Sequence, residues 1–352
     1  MIKRFSNYLI IITAFMALTC GCERFDRSKI KMPEFNFATT ENLHCVAFVD
    51  DQHMWVSGSY GTILFSSDGG KTWKKQDSGI KELLLGCIAF ANRSEGWAAG
   101  VKGTIVHTND GGSKWTVQQS GTEYDIHDLF FLNTQKGWAV GEYGTVLHTD
   151  NGGKQWKQQK EHTDIFYNDV FFADSTTGWI VGEFGTILHT ENGGATWQPQ
   201  ECRDLESADD DIDWDRPLPA LYGTYFLDSN RGWIVGMDGV IIKTVDGGKT
   251  WTRLNSTTDK PLYSILIKGQ IGWIIGNKGA YLMSSDGGET WTAVDGAIKT
   301  KFWLRDLSFA DEKHGLIVGA RGSIALSDDG GASWDLISGY RYDMEEFGLA
   351  DF

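Results

Sequence analysis

One eight-residue box occurs seven times in this chain, and no other feature narrows the possible folds as sharply. It reads as a hydroxyl residue, an Asp or Asn two positions later, a Gly pair and then Trp. The copies are 66–73, 108–115, 149–156, 190–197, 244–251, 284–291 and 327–334, and their Trp residues are 42, 41, 41, 54, 40 and 43 positions apart. Ahead of the boxes runs a second element, as in Gly96-Trp97 leading into Gly103-Thr104-Ile105. A third, apolar element precedes that one, as in Asp128-Leu129-Phe130-Phe131. Each unit therefore reads as four short strands, A to D, separated by Gly-bearing turns. Four strands every 40-odd residues mark a propeller blade. The expectation is an all-β, seven-bladed β-propeller with four antiparallel strands per blade. It spans residues 39–338, with an insertion at 201–219 between blades 4 and 5 and a tail at 339–352.

The box has a local physical reason. Short polar side chains bond nearby backbone and hold a tight turn, and Gly supplies positive φ. Asp68, Asp110, Asn151, Asn192, Asp246, Asp286 and Asp329 are thus expected to be turn-holders rather than catalysts. Of 15 Trp, 13 occupy the two repeat positions; only Trp214 and Trp303 do not. Burying ~200 Å² per Trp is worth up to about 5 kcal/mol, which makes these residues structural.

Composition excludes some functions. The formal charge is −15, from 32 basic and 47 acidic residues, so a nucleic-acid partner, which needs a basic footprint, is not expected. Five cysteines in 352 residues make no disulfide framework. Cys45, Cys87 and Cys202 read as buried free thiols, and no His/Cys spacing suggests zinc. The acidic run 209–215 reads as a hydrated loop, because calcium needs six or more oxygens in a shaped loop. Neither a metal nor a cofactor is expected.

Lys3 and Arg4 precede an apolar run at 8–19 that is too short to span a bilayer. It ends in Leu18-Thr19-Cys20-Gly21-Cys22, which resembles a bacterial lipoprotein signal. The resemblance implies removal of 1–21, acylation of Cys22 and a tether over 22–38. An ordinary secreted protein is the alternative. The implied location is the bacterial envelope on the periplasmic side, and Glu23 in place of Asp points to the outer membrane.

Strand parity assigns the loops to two faces. A–B turns and boxes share one face; B–C turns and D-to-A links share the other, together with the tether, the insertion and the tail. The second face is where the units differ, and binding residues concentrate on loops held by a rigid scaffold. The candidate partner-binding residues are Tyr60, Lys102, Glu142, Tyr143, Glu183, Phe184, Met237, Asp238, Lys278 and Arg321, with Trp214 in the insertion. At the starts of the innermost strands, Asp128, Asp169, Asp306 and Arg305 are candidate channel-lining residues. The three acids either bind a cation or amine or hold neighbouring backbone. Residues 35–37 are a candidate edge strand for the last blade.

The pairing of the Gly-Trp-x-x-Gly-x-x-Gly-Thr-Ile unit with the Asp box resembles the photosystem II stability/assembly factor family and its relatives in non-photosynthetic bacteria. The match covers residues 43–338. It implies a non-catalytic, lipid-anchored propeller, expected to be monomeric, that binds a membrane-protein partner or envelope complex. The photosynthetic members are expected to present an arginine patch, whereas Arg203, Arg231, Arg253, Arg305 and Arg321 are scattered along this chain. The alternative is a sialidase- or glycosidase-like enzyme, or a carbohydrate-binding propeller. The Arg-Ile-Pro signature of sialidases is missing, Arg216-Pro217 being the nearest match. A carboxyl pair such as Glu142/Glu183 is what glycosidase chemistry would require.

Overall fold

A computed structural model of the chain describes residues 38–205 and 217–339, to which every structural statement below refers. Their 28 strands, numbered β1–β28 in chain order, form seven four-stranded antiparallel sheets. The first blade is β1 (Leu43–Phe48), β2 (Met54–Gly58), β3 (Thr62–Ser66) and β4 (Lys74–Asp77), paired in that order. The pattern repeats to the seventh, β25 (Leu304–Phe309), β26 (Gly315–Gly319), β27 (Ile324–Ser327) and β28 (Asp335–Ser338). Strands at the A position of neighbouring blades pack together, β25 against β1 included, so the sheets close a seven-bladed propeller.

Each box folds as its chemistry dictates. Ser66 Oγ accepts the Gly70 N–H (2.9 Å) and donates to Asp68 Oδ1 (2.8 Å), while Asp68 accepts the Thr72 N–H (2.9 Å) and hydroxyl. Asn151 takes the same place, accepting the Gln155 N–H at 2.9 Å. Hydroxyl and then backbone donors hold Asp68 and Asp329 below the usual carboxylate range and Asp286 at about 2. These acids are committed to their turns.

The B-strand indoles join the blades. Trp55, Trp97, Trp138, Trp179, Trp233 and Trp273 are fully buried, and each leans into the following blade. Trp97 donates its Nε1–H to the Gly152 carbonyl (3.1 Å) and Trp138 to Gly193 (3.1 Å). Their rings stack on the Phe that closes the next A strand, with centroids 3.6 Å apart for both Trp97–Phe131 and Trp138–Phe172. Phe131 in turn meets its own box Trp156 edge-on at 87°. The edge-to-face contact is one the ring quadrupole favours, and the close near-parallel stacks bury both faces.

The ring closes without exchanging a strand between the described ends. Leu316, Val318 and Ile324 of blade 7 pack with Leu43, Val46, Met54 and Val56 of blade 1. The Arg321 N–H bonds Asn42 Oδ1 at 2.9 Å, and the Ala38 N–H bonds Ser338 Oγ at 3.1 Å. The expected edge strand at 35–37 lies outside the described residues.

Candidate functional site

The B–C turns carry a backbone feature that turn propensity does not anticipate. In all seven, the two central residues both have positive φ, as in Tyr60-Gly61 at 57° and 64°. Bonds such as Thr145 N–H to the Glu142 carbonyl (3.0 Å) close them. This is a type I′ hairpin turn, whose first position favours Asn, Asp or Gly. Here that position holds Tyr60, Lys102, Tyr143, Phe184, Asp238, Lys278 and Arg321, with φ from 52° to 57°. A bulky L-residue resists this region. The repeated hairpin imposes it and turns the side chains outward. Tyr60 is 62% exposed, Phe184 52%, Tyr143 39% and the neighbouring Met237 37%. Lys102, Asp238, Lys278 and Arg321 are exposed as well, whereas Glu142 and Glu183 are half-buried. Glu142 Oε2 accepts the Asp125 N–H at 3.4 Å.

The D-to-A links add aromatics that the repeat pattern does not reveal. Tyr124 lies 4.8 Å from Tyr143 and 5.2 Å from His162, and Tyr143 meets Phe166 at 5.2 Å. Phe166 leads to His127 in the central channel (6.2 Å), so rings run from the rim of blade 3 to the axis. The links vary in length and sequence, and only their aromatic content pointed this way.

The insertion attaches on the same face. The Gly185 N–H bonds the Pro219 carbonyl (2.9 Å), and Cys202 and Leu205 are buried in the adjoining core. Residues 39 and 42, just before β1, contact the blade 7 turn, and Gly339 abuts Ser323 just after it. Trp214, Cys22 and the tether apart from Ala38 lie outside the described residues.

The channel is lined by two tiers. Every A strand has a bulge after its first residue, seen for β1 as pairing of Leu43 with Gly58 and of Cys45 with Ser57. Gly58 permits this approach, since a Cβ there would lie 2.3 Å from the Asn42 carbonyl oxygen. The bulged residues His44, Gly86, His127, Asn168, Tyr222, Tyr263 and Arg305 form the tier nearer the turn face. Cys45, Cys87, Asp128, Asp169, Gly223, Ser264 and Asp306 form the next, and the two surround a cavity of about 90 Å³.

The three acids reach forward into the following blade. Asp128 accepts the Val170 N–H (3.1 Å), Asp169 that of Thr224 (2.7 Å) and Asp306 that of Val46 (2.8 Å). Asp306 also accepts the Ser264 hydroxyl at 3.0 Å and its neighbour's N–H at 2.8 Å. Of the two roles open from sequence, backbone bridging is the one this geometry makes. Burial pushes Asp128 up to about 6 and Asp169 well above the carboxylate range, and the two share a hydrogen bond. Burial also raises Asp306. It raises the Cys45 and Cys87 thiols too, although Cys45 is half-buried rather than buried as expected.

Two of the arginines, Arg305 at the start of the blade 7 A strand and Arg321 in its B–C turn, lie on the turn side of that blade. Arg305 sits over the Tyr263 ring (5.1 Å) and Arg321 over Phe302 (4.5 Å). Arg231 pairs with Asp228 in an A–B turn on the opposite face.

The family model for the photosynthesis system II assembly factor YCF48 matches residues 23–117, 78–165, 154–216 and 212–301. No curated protein matches the chain. A solved structure of YCF48 bound to D1 peptide is 22% identical, with a TM-score of 0.68 over 83% of this chain and 94% of that one. YCF48 from Cyanidioschyzon merolae is 18% identical, with a TM-score of 0.66 over 84% and 97%. The fold is also shared by a GH74 xyloglucanase from Xanthomonas campestris, 10% identical, with a TM-score of 0.68 over 86% of this chain and 56% of the enzyme.

Proposed function

The chain belongs to the photosynthesis system II assembly factor YCF48 family, and from that premise we propose that it is a non-catalytic docking ring for a membrane-protein partner. The observation that carries this reading is the row of exposed Tyr60, Tyr143, Phe184 and Met237 on one face of a rigid ring. Aromatic anchors on a pre-organised surface bind with little ordering cost. The solved relative holds a D1 peptide; by analogy, this chain takes an extended segment of an envelope membrane protein across the turn face. Acylation at Cys22 keeps the ring at the membrane, with a 17-residue tether reaching ~20–25 Å.

A photo-crosslinking amino acid at Phe184 tests the reading in the full chain within its own envelope. The expected result is a membrane-protein adduct that is absent when the same group replaces Lys114 on the box face and is weakened by Tyr143→Ser. Identical adducts from both faces sink it. Release of sugar from glycans by the purified chain, lost in Glu142→Gln or Glu183→Gln, would replace it with the glycosidase reading. Loss of labelling from the membrane fraction in Cys22→Ser is the expected mark of the lipid.

A further inference from the structure

The upper channel tier is chemically lopsided. On the blade 3–4 side its polar atoms are used: His127 Nδ1 bonds the Tyr167 carbonyl (2.9 Å) and Asn168 Nδ2 the Leu221 carbonyl (2.8 Å). On the blade 5-to-1 side stand Tyr222, Tyr263, Arg305 and His44. Among the described residues, none of these four donates a side-chain hydrogen bond or pairs with a carboxylate; their contacts are between rings and cation. Tyr222 meets Tyr263 edge-on at 5.5 Å, Arg305 covers Tyr263, and His44 lies against Trp303 at 5.2 Å. A guanidinium has five N–H donors and matches a carboxylate bidentately. The opposing wall is open at Gly86, where a Cβ would meet nothing closer than 3.9 Å. The cavity of about 90 Å³ holds a carboxylate and its methylene.

We propose that this mouth is a receptor for a single carboxylate, gripped by Arg305 and flanked by the phenols of Tyr222 and Tyr263 and the imidazole of His44. The acids beneath do not forbid an anion. Asp128 and Asp169 share a hydrogen bond, and Asp306 is occupied by two N–H groups and a hydroxyl. The inference deepens the docking reading by naming what the partner presents, and rests on it only for the source of the group: an acidic side chain of the bound segment or a free small carboxylate.

His44 is a built-in reporter. Burial and the Arg305 charge lower its pKa to about 4. An anion neutralising Arg305 will raise it by about one pH unit. The experiment titrates the full chain by NMR at pH 7 with acetate, with N-acetyl-Ala-Glu-Ala-amide and with its Gln counterpart, then follows the His44 midpoint with each. Either carboxylate probe should bind and lift the His44 midpoint, and the Gln peptide should do neither. Binding of acetate and the Glu peptide alike points to a free carboxylate, and of the Glu peptide alone to a polypeptide source. Arg305→Gln should weaken binding about tenfold or more and raise the His44 midpoint without ligand; Arg305→Lys should be intermediate. No binding by either carboxylate, equal binding by the Gln peptide, or an unchanged affinity in Arg305→Gln overturns the proposal. Failure of the crosslinking experiment leaves this result standing, so the two readings fail separately.

Discussion

Replacing Trp138 by Leu tests the account of how the blades are joined, because blade 7 already carries Leu316 at that position. Trp138 is fully buried, donates to the Gly193 carbonyl and stacks on Phe172 at 3.6 Å and 14°. Truncating a buried Trp to Ala costs about 3–5 kcal/mol, and Leu refills part of the space, leaving about 2. The lost indole bond adds about 1 kcal/mol, moderated because Gln159 Nε2 also reaches the Gly193 carbonyl at 3.3 Å. The lost stack adds about 1 more. Trp138→Leu should therefore cost about 4 kcal/mol in urea unfolding, with an unchanged m-value. A double-mutant cycle with Phe172→Leu should return a coupling of about 1 kcal/mol. A loss below about 1 kcal/mol, or no coupling, would show that the blades are held by undirected burial and that the indole geometry is incidental.

The channel acids predict a pH effect of known sign. Their folded pKa values are raised, so the stability tied to their protonated forms is full below pH ~4 and is lost as pH rises through about 6 for Asp128 and higher for Asp169. Asp169→Asn reproduces the protonated partner, accepting from Thr224 and donating to Asp128. It should be neutral near pH 4, stabilising at pH 8, and should flatten the thermal-melt profile between them. Lys102→Asn should stabilise by about 0.5–1 kcal/mol, measured by denaturant midpoint, since Lys102 is exposed at φ 56° and Asn tolerates that region. Thr149→Val should cost about 1–3 kcal/mol in the same assay, because the buried Thr149 hydroxyl accepts the Gly153 N–H at 2.8 Å and valine removes that acceptor.

What was legible in the sequence follows from how local each interaction is. The box is a contact among four residues, Ser66, Asp68, Gly70 and Thr72, all within seven positions, so its chemistry could be read from spacing. The blade count and the division into two faces follow from repetition and parity, which need no distances. Turn conformation was less accessible: Tyr60, Tyr143 and Phe184 occupy left-handed positions that their own propensities oppose, so only the shared hairpin explains them. The aromatic run through Tyr124, His162 and Phe166 depends on which links become neighbours across blades. Arg305 lines the channel because a bulge at the start of its strand turns it inward, which its place in the sequence alone does not reveal. The roles of Asp128, Asp169 and Asp306 were legible as alternatives only, since the N–H donors they bridge to in the next blade lie 40 or more residues away.

The direction of the blade contacts has a consequence for where the ring opens. Each indole reaches forward to the next box, and each channel acid reaches forward to the next A strand. At the seam from blade 7 to blade 1 the Asp306 bond to Val46 persists, but Leu316 supplies neither an indole donor nor a ring stack. Cooperative opening starts where directed contacts are fewest, so amides of Leu43–Phe48 and Leu304–Phe309 should exchange before those of Ile126–Phe131 and Tyr167–Phe172. Arg305 and His44 stand on opposite sides of that seam. A carboxylate held between them would bind only the closed ring, and at ten times its Kd would add about 1.4 kcal/mol of stability. Hydrogen-exchange mass spectrometry with and without acetate should therefore show protection concentrated in those two strands. Uniform protection around the ring, or earliest opening at blades 3 and 4, would mean that the missing indole does not set the weak point.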